Sequence, residues 1–154
     1  MAAKLVTYES DLYGVSFSYP ENLSAPAISE MGLHPLKLDL GNGEISIYRR
    51  EAEAGKSLAD LVAENIDANT KASHGRIVSK NLGRQTLGGN EAWAVQRHFD
   101  SAAGRYDAIQ YIVLKGGFEY SVTCRTKQGP PVIPWQLVEP ACQRILATIS
   151  FMER

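Results

Sequence analysis

Between Tyr13 and Asn22 the chain alternates large and small side chains without a break: Tyr13, Val15, Phe17 and Tyr19 against Gly14, Ser16 and Ser18. Successive strand residues point to opposite faces, so the four large residues share one face and the small ones the other. Pro20 lacks the N–H that a ladder needs and closes the strand. Lys4 to Glu9 reads as a strand before it, and Glu21 to Pro35, broken by Pro26 and Pro35, as a loop with at most one helical turn. Leu36, Leu38 and Leu40 then alternate with Lys37 and Asp39. Gly41-Asn42-Gly43 turns this strand into its hairpin partner, Glu44 to Arg49.

The period changes at Ser57. Leu58, Leu61, Val62 and Ile66 keep helical spacing behind an N-cap serine, and Asp60 stands in the first turn. This helix should fade between Lys71 and Gly75. Arg76 to Leu87 is extended, with Gly83 as an interruption, and Gly88-Gly89-Asn90 turns it into Glu91 to Phe99. Arg105 to Leu114 follows, apolar on both faces at its end and so suited to a central strand. Gly116-Gly117 leads into Phe118 to Thr126, and Gly129 to Pro134 forms a stiff, proline-rich connector. Trp135, Val138, Cys142, Ile145, Leu146 and Ile149 mark a second amphipathic helix. Pro140 conflicts with a helix beginning at Trp135, and a start near Glu139 with Pro140 at the first helical position resolves the conflict.

The length of 154 residues suits one domain, spanning residues 1–154, with a core that needs no staples. A net charge of −1 argues against a nucleic-acid partner, which calls for a basic face. No run is long enough for a transmembrane helix, and Met1 to Ser10 lacks the apolar core of a signal peptide, so membrane insertion is not expected. The chain as it stands reads as soluble and cytoplasmic, or periplasmic if an export segment has been removed. Cys124 and Cys142 read as buried free thiols, with a single disulfide between them left open.

The segment YGVSFSYPENL, the helix begun by Ser57-Leu58, the turn Leu87-Gly88-Gly89-Asn90-Glu91-Ala92 and the ending Ile145-Leu146-Ala147-Thr148-Ile149-Ser150-Phe151 resemble the PsbP-like fold group. That group takes in PsbP, Ran-binding nucleotide-release factors and DcrB-like proteins, including secretion-effector chaperones. The resemblance implies an α+β fold: one antiparallel sheet of about six to eight strands with two main helices packed on it. It also implies a non-catalytic role as adaptor, chaperone or assembly factor, and it carries no catalytic residue over.

The residues add no reacting group to this picture. Gly55-Lys56-Ser57 lacks the first glycine of a phosphate-binding loop, where Arg50 stands, and Glu51 and Glu53 would repel phosphate. His34, His74 and His98 have no partner at metal spacing, so neither a metal nor a cofactor is expected. Arg49-Arg50 reads as edge charge and Pro131-Val132-Ile133-Pro134 as a rigid lead-in to the last helix. The better candidate is a shallow sheet face made of small and polar positions: Ser16, Ser18, Gln96, His98, Ser121 and Thr123. Such a face would offer hydroxyls and amides to a protein or peptide segment, and self-association as a homodimer stays open. The competing reading is a small-ligand carrier or enzyme with a pocket between sheet and helix near His98 and Tyr111.

Overall fold

A computed structural model describes residues 4–29, 34–127 and 131–152. The chain runs β1 (Leu5–Ser10), β2 (Val15–Pro20), β3 (Leu36–Asp39), β4 (Gly43–Glu51), α1 (Leu58–Ala72), β5 (Val78–Leu87), β6 (Asn90–Ser101), β7 (Gly104–Lys115), β8 (Phe118–Thr126), α2 (Trp135–Leu146) and β9 (Ser150–Phe151). This is the expected antiparallel α+β architecture, with its strands divided between two sheets. Six form one sheet in the order β3-β4-β8-β7-β6-β5, and three form a second in the order β1-β2-β9. The two-residue β9 has no strand signal of its own. It pairs Phe151 with Val15 and so places the last apolar run of the chain against β2.

The large sheet is buried on both faces. On one face Ile45, Ile47, Tyr111, Val113, Tyr120 and Val122 meet α2 and the inner side of the small sheet, including Tyr13, Val15 and Phe17. On the other face Val95 and Ile112 meet Leu61 and Val62 of α1, with Trp93 and Ile66 at the margin. α1 begins as its sequence requires: Asp60 N–H donates to Ser57 Oγ at 3.2 Å, and Ser57 N–H donates to Asp60 Oδ2 at 3.0 Å. It stops at Ser73, followed by His74 and Gly75 in left-handed backbone, with Gly75 N–H capping the Thr70 carbonyl at 2.8 Å.

Two expectations need correction. α2 starts at Trp135, with Pro134 as N-cap, and Pro140 lies inside it. The pull of Val138 into the core outweighs the hydrogen bond Pro140 cannot give, because Val138, Cys142, Ile145 and Leu146 then share one buried stripe. The cysteines are not free: Cys124 of β8 and Cys142 of α2 form a disulfide, Cα–Cα 6.2 Å, across the core. Residues 129 and 130 of the predicted connector, and residues 30–33 of the predicted loop, lie outside the described residues.

Close packing requires glycine at three positions, Gly14, Gly43 and Gly88, the last because a Cβ would collide with the Ile149 carbonyl. A Cβ on Gly43 would collide with the Val138 side chain of α2, and one on Gly14 with the Arg49 guanidinium and the Tyr120 hydroxyl. Gly14 also has φ +67°, which side-chain-bearing residues disfavour.

Candidate functional site

Two surfaces of the large sheet offer binding chemistry. The first is a cleft between the C-terminal half of α1 and strands β6 to β8, with a cavity of about 230 Å³. Its floor is set by register. Arg97 pairs with Ala108, and Ala108 pairs with Arg125, so both arginines project from the same face. Arg97 Nη1 donates to Asn65 Oδ1 at 2.9 Å and to Gln110 Oε1 at 2.6 Å. Arg125 Nε donates to Glu44 Oε1 at 3.0 Å. Burial, and secondarily the nearby Arg125, lower the pKa of Arg97 below its ordinary value. Phe99 and Tyr106 stack at the end of the cleft, with ring centroids 4.8 Å apart.

The second surface is the strip of β6 and β7 beside α2. A depression of about 450 Å³ at one end is lined by Gln96, Asp107, Ile133, Trp135 and Gln136. Another, of about 470 Å³, is lined by Gln85, Leu87, Tyr111 and Gln143. Gln143 Nε2 donates to Tyr111 Oη at 3.1 Å, and Trp135 Nε1 donates to Glu139 Oε2 at 2.7 Å. Asp107 is engaged by Arg105 Nε at 3.2 Å. Gln96, His98 and Gln136 make no side-chain hydrogen bond among the described residues.

No protein-family model matches the sequence, and no curated protein matches it. Solved structures do. The solution structure of cyanobacterial PsbP (CyanoP) from Synechocystis sp. PCC 6803 aligns over 98% of this chain and 94% of its own, with TM-score 0.67 at 15% identity. LpqN of Mycobacterium tuberculosis, described as involved in cell envelope biogenesis, aligns over 97% and 91%, with TM-score 0.59 at 12% identity. The chain has a PsbP-like fold.

Within this PsbP-like frame the six residues expected to share a shallow face fall on three surfaces. Ser16 and Ser18 lie on β2 of the small sheet, turned away from its buried side, and Ser18 N–H donates to Thr148 Oγ1 at 2.8 Å. Gln96 and His98 face the α2 side of the large sheet. Ser121 and Thr123 face the α1 side, where Ser121 Oγ accepts from Gln110 Nε2 at 2.6 Å and Thr123 lines the cleft. The register explains the split. Trp93 pairs with Ile112 and Ile112 with Ser121, whereas Gln96 pairs with Ile109 and Ile109 with Cys124. The bulky residues of β6 and β8 therefore point to opposite faces, each covered by a different helix. Of the pair expected to flank a pocket, Tyr111 borders the depression by α2, whereas His98 meets the edge of the cleft by α1 while its register turns its side chain to the α2 side. Arg97, Gln110 and Arg125 carry no motif. The available signal was Gln110, a polar residue inside the most apolar strand of the PsbP-like sheet.

Among the described residues no helix is long and apolar enough to cross a membrane, and no cluster of three His, Cys, Asp or Glu could hold a metal ion.

Proposed function

We propose that this domain is a non-catalytic module that binds another protein, as an adaptor or assembly factor, along the strip of β6 and β7 beside α2. The observation that carries the reading is the trio Gln96, His98 and Gln136. Their hydrogen-bonding heads have no partner among the described residues and stand beside a floor of buried Ala94 and Ile109. Unpaired polar groups at a shallow sheet surface are what an extended partner segment needs, because its own amides and carbonyls must be satisfied when it docks. The strip presents amides, an indole and an imidazole, which are groups suited to recognition. The fold likeness to CyanoP and LpqN supports the same reading. The Cys124–Cys142 disulfide supports the periplasmic of the two locations, since disulfides persist in oxidising compartments.

A photo-crosslinking residue at position 96 should trap a partner in cells of the source organism, and Gln96→Arg should abolish pull-down of that partner. Lys37→Glu, on the far edge of the sheet, should leave capture intact. Stability of Gln96→Arg should stay within about 0.5 kcal/mol of the parent, as expected of an accessible position. A folded Gln96→Arg that still captures the trapped partner would refute the strip as the site, and Arg49 and Arg50 would be tested next.

A further inference from the structure

A half-buried guanidinium ordinarily faces a carboxylate, because an uncompensated charge is expensive to hold away from water. Arg97 faces none among the described residues. Its Nη1 donates to two neutral amide oxygens, those of Asn65 and Gln110, at 2.9 and 2.6 Å. Both acceptors are held in place from behind. Gln110 Nε2 donates to Ser121 Oγ at 2.6 Å, and Asn69 Nδ2 donates to Asn65 Oδ1 at 3.2 Å. The network fixes the orientation of the guanidinium without neutralising it, and its Nε and Nη2 have no described acceptor. Arg125 stands on the same face, committed to Glu44 through Nε and Nη2, which leaves Nη1. Asp107 borders the cavity, but its carboxylate is paired with Arg105. The Thr123 hydroxyl, also in the lining, bonds to no described residue.

Two guanidiniums and a hydroxyl thus converge on one side of a cavity whose other end is the stacked pair Phe99 and Tyr106. We propose that this cavity binds an oxyanion, carboxylate or phosphate, carried on a small planar apolar body that lies against the Phe99–Tyr106 pair. The arginine fork matches the two oxygens of such a group. The size decides the body: about 230 Å³ is below the roughly 300 Å³ at which drug-sized pockets begin. A single ring fits that limit and a nucleotide does not. The site lies on the opposite face of the sheet from the protein-binding strip and does not depend on it.

The test is titration of the full chain with acetate, inorganic phosphate, benzoate and phenyl phosphate, followed by calorimetry and by the Arg97 Nε–Hε resonance. A ring-bearing anion should shift that resonance saturably and bind at least about tenfold tighter than its bare counterpart. Arg97→Gln should weaken binding about tenfold to a hundredfold, the range for losing a charged hydrogen-bond partner. It should also melt no earlier than the parent when no anion is present, because it removes an unneutralised charge; a purely structural arginine would lower the melting temperature. Thr123→Val keeps the shape of the wall and should weaken binding even if Arg97→Gln does not fold. Failure of every probe to move the resonance, or unchanged affinity in both variants, would overturn the proposal. Equal affinity for inorganic and phenyl phosphate would overturn the ring.

Discussion

The disulfide offers the most direct test of how α2 is held. Cys124 and Cys142 are fully buried and separated by 18 positions in sequence. Closing a loop of that length removes chain entropy from the unfolded state worth about 3 kcal/mol. At about 2–4 °C per kcal/mol for a chain of this size, reduction should lower the melting temperature by about 6–12 °C. Reduced parent protein, kept under a phosphine reductant, isolates this effect because both sulfurs stay in the core. The double variant Cys124→Ala, Cys142→Ala should fall further, since it also leaves cavities. Differential calorimetry and urea unfolding should agree, with the midpoint shifted down. Coincident melts for oxidised and reduced protein would refute the reasoning. So would two thiols reacting with a thiol reagent in denatured, unreduced protein. Either result would mean that Val138, Ile145 and Leu146 hold the helix by packing alone.

Gly14→Ala should cost more than about 2 kcal/mol, combining a left-handed φ with collision against Arg49 and Tyr120. Gly41→Ala has a positive φ but open space, and urea midpoints should place its cost nearer about 1 kcal/mol. Ser57→Ala should lose about 1 kcal/mol through the capping box, read by the same assay. Pro140→Ala should raise the unfolding free energy by about 2 kcal/mol, read as a higher urea midpoint, since alanine is about 3 kcal/mol better inside a helix and the looser unfolded chain returns part of the gain. The Asp39 carboxyl is held below the usual carboxylate range by the Gly41 N–H first and by Lys127 second. Its contribution is therefore present above the unfolded value of about 4 and lost as pH falls through the lowered folded value. Urea midpoints from pH 6 down to pH 2 should fall less steeply for Asp39→Asn than for the parent.

Local order was legible wherever one residue type decides it. The Tyr13–Tyr19 alternation, the Gly41-Asn42-Gly43 hairpin and the Ser57 cap each encode their element within a few residues, and each forms. What failed was the relation between strands. Alternation tells that Trp93 and Gln96 point opposite ways, but which of Ser121 and Val122 lies on the side of Trp93 depends on register through β7. Register is a property of pairs, so the common face built from Gln96 and Ser121 could not be checked along either strand alone. The large sheet has a helix on each face, and large residues are therefore wanted on both. Pro140 was overruled by tertiary packing, and Arg97 became legible only once its neutral neighbours were in view.

The small sheet also constrains the order in which the domain can assemble. β2 is its middle strand, flanked by β1 from the start of the chain and by β9 from Ser150–Phe151. The amide of Ser18 waits for the hydroxyl of Thr148, 130 positions later. Contacts this distant in sequence form slowly, because a long loop must close before any of them is rewarded. During synthesis, β1 and β2 would pair as a hairpin, with the far edge of β2 and the apolar side bearing Val15 and Phe17 still uncovered. Such an edge is open to misassociation until residue 151 has left the ribosome. Trimming the chain back past Thr148 would therefore do more harm to folding yield than a two-residue strand suggests.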